Sequence, residues 1–152
     1  MGSSGRVHDR AILDAVEAAD VVSFSQAVWR IVRAGRDPIL GSTADGRGSP
    51  GGTVEVLYTS IEREGALAEI GFRLSLEPVW PSRIAHEMHE IGVQAERTLN
   101  LAGMASLGPF GIDVSRYASF DYTATHAAAA AAHFLSSMDL SCPAHATSHK
   151  IW

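Results

Sequence analysis

The stretch YTATHAAAAAAHFLSSM, residues 122–138, leaves its backbone little choice. Its run of alanines at 127–132 has the highest helix propensity available and no branched side chain to oppose it, so a helix is expected there. The tract is far shorter than the roughly 18 apolar residues that cross a bilayer, and no other apolar run reaches that length. A membrane is not an expected partner. The N-terminus lacks a secretory apolar core, and Cys142 is the sole cysteine, which excludes an internal disulfide and leaves a cysteine-based zinc site without ligands. Both features suit the reducing cytoplasm.

Other segments read by their periodicity. Asp9 can cap a helix through AILDAVEAAD, where Ile12, Leu13 and Val16 recur at helical spacing. VWRIV at 28–32 reads as a strand that places Arg30 between Val28 and Val32 on one face, with Trp29 and Ile31 on the other. The plain alternative for Arg30 is an edge-strand residue whose stem packs while its head reaches water. Residues 37–52 are rich in Gly, Pro, Ser and Asp and form a long irregular loop that contains Arg47. TVEVLYT, 53–59, is a β-branched and aromatic run expected as a strand with Val54, Val56 and Tyr58 on one face. Thr59 or Ser60 can then cap a helix through ALAEIGFRL, with Leu67, Ile70 and Leu74 as its buried stripe. Glu69 lies off that stripe, and its plain alternative is a solvated residue paired with Arg73 at i,i+4.

RIAHEMHEIGVQAERTL, 83–99, is ambiguous between helix and strand. His86 and His89 are three apart and lack the i,i+4 pair of a zinc-binding helix, and in a strand they point to opposite faces, so no metal is expected. LAGMASLGPFGID reads as a loop with GPFG as its turn, and LSCPAHATSHKIW as two short apolar runs around a turn. At 152 residues the chain fits one domain, with 46% hydrophobic and 19% charged residues placing it in the globular class. Residues 1–8 are set apart as a disordered N-terminus or cloning remnant, and 9–152 as the domain. Seventeen acidic against twelve basic residues give a net charge of −5, which argues against direct nucleic-acid binding.

Five of these pieces, in order, resemble the RES-domain family, the toxins of bacterial toxin–antitoxin pairs whose partner is an Xre-type antitoxin. VWRIV resembles the family's opening strand with its arginine. DGRGSPGGTVEVLYTS resembles its glycine, arginine, loop and strand ending in tyrosine, and ALAEI its helix with a glutamate. DYTATHAAAAAAHFL is similar to its late helix, and MDLSCPA to the strand that leads to its proline. Two positions depart from the pattern. Gly48 and Ser49 follow Arg47 where the family has tryptophan and asparagine, and its late serine falls on Ala144.

The resemblance implies a compact, single-domain α+β fold similar to ADP-ribosyltransferase toxins, with a mixed β-sheet core and flanking helices. It also implies NAD as substrate, without a metal, and an antitoxin that covers or enters the NAD cleft. The implied activity is cleavage of NAD with transfer of ADP-ribose to a target protein. Release to water or phosphate, as in an NAD glycohydrolase or phosphorylase, is the second reading, and a silent binding module on the same fold the third. Cleavage of the nicotinamide–ribose bond builds positive charge on the ribose, which a carboxylate at Glu69 would stabilise. Arg47 and Arg30 offer planar forks of donors for the pyrophosphate. Tyr58 offers a flat face and a hydroxyl to the nicotinamide, and Tyr122 and His126 at the start of the alanine-rich helix are candidates to line the same cleft.

Overall fold

Asp9 begins the first helix as expected. Its carboxylate accepts the Ala11 N–H at 2.8 Å, which satisfies one of the amides left open at a helix start, and α1 runs over Arg10–Ala18. The computed structural model describes residues 8–43, 55–76, 84–101, 104–116, 121–136 and 144–148. Strand β1, Val21–Arg33, contains the expected VWRIV and extends it backwards through Val21, Val22 and Phe24. The ambiguous stretch is a strand, β2, His86–Leu99, and β3 covers Ala144–Ser148.

The three strands lie in the order β1-β2-β3, so β2 is central. Partners run from His89 opposite Ser148 to Val93 opposite Ala144, antiparallel. β1 ends where β2 begins, with the Ala34 N–H donating to the Ala85 carbonyl, and starts where β2 ends, with the Asn100 N–H donating to that of Asp20. Every described strand pairing is therefore antiparallel, and a parallel component of the expected mixed sheet does not occur among the described residues. Central position explains why β2 escapes a simple alternating pattern: Met88 on one face and His89 and Ile91 on the other are all buried.

Three expectations need correction between residues 55 and 76. Residues 55–59, the described part of TVEVLYT, are not a ladder strand: Val56 makes a single bridge, and the isolated bridge to Trp29 is made by Ser60, just beyond the run. A β-branched run forms a strand only where a partner extends the pairing, and among the described residues each bridge stops after one residue pair. Neither Thr59 nor Ser60 is the cap of α2, Arg63–Ser75. Glu62 holds that position without a side-chain bond, while the Ser60 hydroxyl donates to the Glu62 carbonyl at 2.8 Å. Gly65 makes this possible, since a Cβ there would collide with the Ser60 hydroxyl. The helix buries Ala66 and half-buries Ile70 and Leu74, an i, i+4, i+8 row, whereas Leu67 is 46% exposed.

The chain's contacts gather into two compact units built from interleaved segments. The first comprises Met1–Val22, Thr43–Val56 and Arg97–Ser141. Here the alanine-rich helix α3, Thr123–Ser136, starts from Asp121, whose carboxylate accepts both the N–H and the hydroxyl of Thr123. A hydrophobic cluster of Val16, Leu107, Phe110, Ile112 and Ala131 joins α1 and α3 to a 3₁₀ segment, Met104–Phe110. The expected GPFG turn is at that segment's end, where Gly111 takes a φ of 72° that other residues adopt at a cost. The second unit comprises Ser23–Ser42, Leu57–Glu96 and Cys142–Trp152, and buries Val28, Val32, Ala66, Met88, His89 and Ile91.

Candidate active site

Arg30, Tyr58 and Glu69 all belong to the second unit. Arg30 sits on β1 between the buried Val28 and Val32, as the alternation of the strand requires, and is itself half-buried. Its head does not end in open water. Nη1 donates to the carbonyls of Pro38 at 2.8 Å and Leu40 at 3.0 Å, in the loop that follows β1. Burial is the main cause that lowers the Arg30 pKa; Arg36 adds repulsion in the same direction and Asp37 opposes both. Both hydrogen bonds to described residues run through Nη1, so Nε and Nη2, the opposite edge of the guanidinium fork, are left for another acceptor.

Tyr58 is half-buried and lies two residues before the bridge that ties Ser60 to Trp29, the neighbour of Arg30. The bridge is formed by two short backbone bonds: the Trp29 N–H donates to Ser60 at 2.6 Å and the Ser60 N–H to Trp29 at 2.8 Å. It fixes the tyrosine segment and the root of α2 against the arginine strand. Glu69 is on the second turn of α2, about 9 Å along the axis from Arg63 at 1.5 Å per residue. It is exposed, and the surface pair with Arg73 is not formed. Its carboxylate is therefore open to solvent and to a ligand.

Tyr122 and His126 belong to the first unit. They are half-buried neighbours on one face of the helix start, with ring centroids 5.7 Å apart and the His126 N–H bonded to the Tyr122 carbonyl. Arg47 lies outside the described residues. So does MDLSCP, while Ala144, where the family pattern has serine, opens β3.

Two residues that sequence reasoning weighed only as metal ligands or their neighbours carry other weight here. His86 and His89 point to opposite faces of β2, and no cluster able to hold a metal ion is found among the described residues. His89 is buried, and its neighbour on the same face, Glu87, accepts the N–H of Gly35 in the turn after β1. The parity of 87 and 89 was legible in the sequence once the segment is taken as a strand; the contact with a turn more than fifty residues away was not.

The order of these elements along the chain can be set against known proteins. The RES domain matches residues 27–142, a span that holds Arg30, Arg47, Tyr58, Glu69, Tyr122 and His126. The chain belongs to the RES-domain family. Among solved structures, this RES domain superposes on a chain of the crystal structure of the M. tuberculosis MbcT–MbcA toxin–antitoxin complex with a TM-score of 0.74 at 21% sequence identity. The match covers 84% of this chain and 73% of that one, and shows the α+β fold that the resemblance implied. No curated protein matches the sequence. No helix among the described residues of the RES domain is long and apolar enough to cross a membrane.

Proposed function

We propose that this RES-domain protein is the toxin of a toxin–antitoxin pair and that it cleaves NAD at the nicotinamide–ribose bond in the cytoplasm. The observation that carries the reading is the Trp29–Ser60 bridge, which gathers the arginine strand, the tyrosine segment and the start of the glutamate helix within one unit. In that reading residues 9–152 form one domain, and NAD is substrate rather than resident cofactor.

Each residue has a chemical task. The unused edge of the Arg30 guanidinium, with Arg47 from the glycine-rich loop, binds the pyrophosphate through charge-assisted bonds that a point charge cannot copy. The ring of Tyr58 supports the nicotinamide. The glycosidic bond then breaks, its electron pair leaving with the ring nitrogen, so nicotinamide departs neutral and the ribose carries the positive charge. Glu69 stabilises that charge, a contribution of about 3 to 4 kcal/mol for one well-placed group. Tyr122 and His126 are the second rank, as lining residues.

Transfer of the ADP-ribose to a protein is the first reading of the acceptor step. Exposure of Glu69 favours a second, in which water reaches the ribose and the enzyme is an NAD glycohydrolase, or phosphate does so in a phosphorylase. NAD labelled in its adenylate half separates them: label retained on a protein acceptor supports transfer, and label recovered as free ADP-ribose or its phosphate supports depletion. Intact NAD after incubation rejects both and leaves a binding module.

The antitoxin, of Xre type in this reading, is expected to act on the same cleft. A carboxylate or C-terminus presented to Arg30 and Arg47 would imitate the phosphates. Inhibition by the product of the neighbouring gene should then weaken as NAD rises; inhibition insensitive to NAD places the partner elsewhere.

A further inference from the structure

His89 has no hydrogen bond among the described residues that would account for its burial. It is 4% exposed on the central strand, and neither Nδ1 nor Nε2 has a hydrogen-bond partner among them. Leaving such a group unsatisfied forfeits its hydration without return, and exceptions of this kind in folded proteins call for an explanation. Glu87 Oε2 lies 3.7 Å from Nε2, beyond hydrogen-bond range by several tenths of an ångström. The same oxygen accepts the Gly35 N–H at 3.4 Å, also long. One carboxylate oxygen thus stands between a buried imidazole and a turn amide, and a small shift tightens either contact.

That turn is not incidental. Gly35 has a φ of 79° in a turn closed by the Arg36 N–H on the Arg33 carbonyl, and the chain leaving it supplies the Pro38 and Leu40 carbonyls that hold Arg30. We propose that His89 is a positioning residue: through the Glu87 carboxylate it anchors the Gly35 turn, and through that turn it holds the carbonyls that aim Arg30. A shift of a few tenths of an ångström lets the imidazole N–H donate to Glu87, which would fix its rotamer and turn its charge toward the Gly35 amide. The consequence for substrate rests on the NAD reading above; the coupling of His89 to Gly35 does not.

The test follows amide exchange at Gly35 in the ligand-free full chain, with Ile91 on the same strand as His89 for reference. Glu87→Ala should speed Gly35 exchange about tenfold, the loss of one bond to a charged acceptor, and His89→Phe about threefold. Because both act through one contact, the double variant should exchange no faster than Glu87→Ala alone. Ile91 should be unchanged, since a residue that merely fills the core would raise both amides together. His89→Gln, which keeps a side-chain N–H, should retain the protection of Gly35, and it carries the test if His89→Phe does not fold. Unchanged Gly35 exchange in His89→Phe, lost protection in His89→Gln, or multiplicative effects in the double variant overturn the proposal. In NAD titrations His89→Phe should raise the KM about threefold with kcat kept, because the residue acts on binding geometry. A wild-type chain that ignores NAD removes the NAD reading, while the Gly35 measurement still decides the role of His89.

Discussion

The two units of this chain are built to different rules. In the first, α1, α3 and the 3₁₀ segment meet through Val16, Leu107, Phe110, Ile112 and Ala131, with the partly buried Ile12, Leu13 and several alanines around them. All of these side chains are apolar. In the second, buried Val28, Val32, Met88 and Ile91 share their strands with a half-buried arginine and a buried histidine, while Ile61, Phe72 and Leu76 are left 59–63% exposed. Polar groups inside and apolar groups outside both oppose stability. The described core of the first unit is thus wholly apolar, whereas that of the second admits a buried histidine and a half-buried arginine.

The largest effect is expected in the apolar cluster of the first unit. Phe110, 3% exposed, should cost about 3 to 5 kcal/mol when replaced by alanine, read as a lower denaturant midpoint with the slope unchanged. A loss under about 1 kcal/mol means that this cluster is not the stabilising core. A smaller effect of a different kind is expected at Arg30. Arg30→Lys keeps the charge but cannot reproduce the fork, so calorimetric titration should show NAD affinity reduced about tenfold while the unfolding midpoint moves little. Equal affinity in the two proteins returns Arg30 to structural duty on Pro38 and Leu40. Next comes the helix cap: Asp9→Ala should lower stability by about 1 kcal/mol in the same unfolding assay, because the Ala11 amide loses its acceptor. The least effect belongs to Leu67, whose exposure predicts that Leu67→Ser changes stability by less than about 0.5 kcal/mol. A loss near that of a core leucine would show that α2 packs on a different face.

Local chemistry made the first unit readable in the sequence. The Asp9 cap, the α1 stripe and the alanine helix are each set by neighbours within a few residues, and each is found near its expected place. The second unit depends on distant pairings. The described part of TVEVLYT has strand propensity but makes a single bridge, at Val56, before the Trp29–Ser60 bridge, and AHATS has little β-branched content yet pairs with β2 over five residues. The buried row of α2 runs through Ala66, Ile70 and Leu74 and leaves Leu67 out, on a helix whose first turn lies close against Ser60 at Gly65. At the candidate site, residue types and order were legible for Arg30, Tyr58 and Glu69. The Pro38 and Leu40 carbonyls on Arg30, and the ring of His89, without a hydrogen-bond partner among the described residues, depend on chain segments that no local pattern brings together.

The central claim is that Glu69 stabilises charge on the ribose of NAD. Nicotinamide release should be followed for the wild-type chain and for Glu69→Gln at NAD concentrations that saturate both. The account predicts steady release by the wild type, a loss of roughly 100- to 1,000-fold in kcat for Glu69→Gln, and NAD binding retained. Equal release by the two proteins, or no release by the wild type, would contradict it.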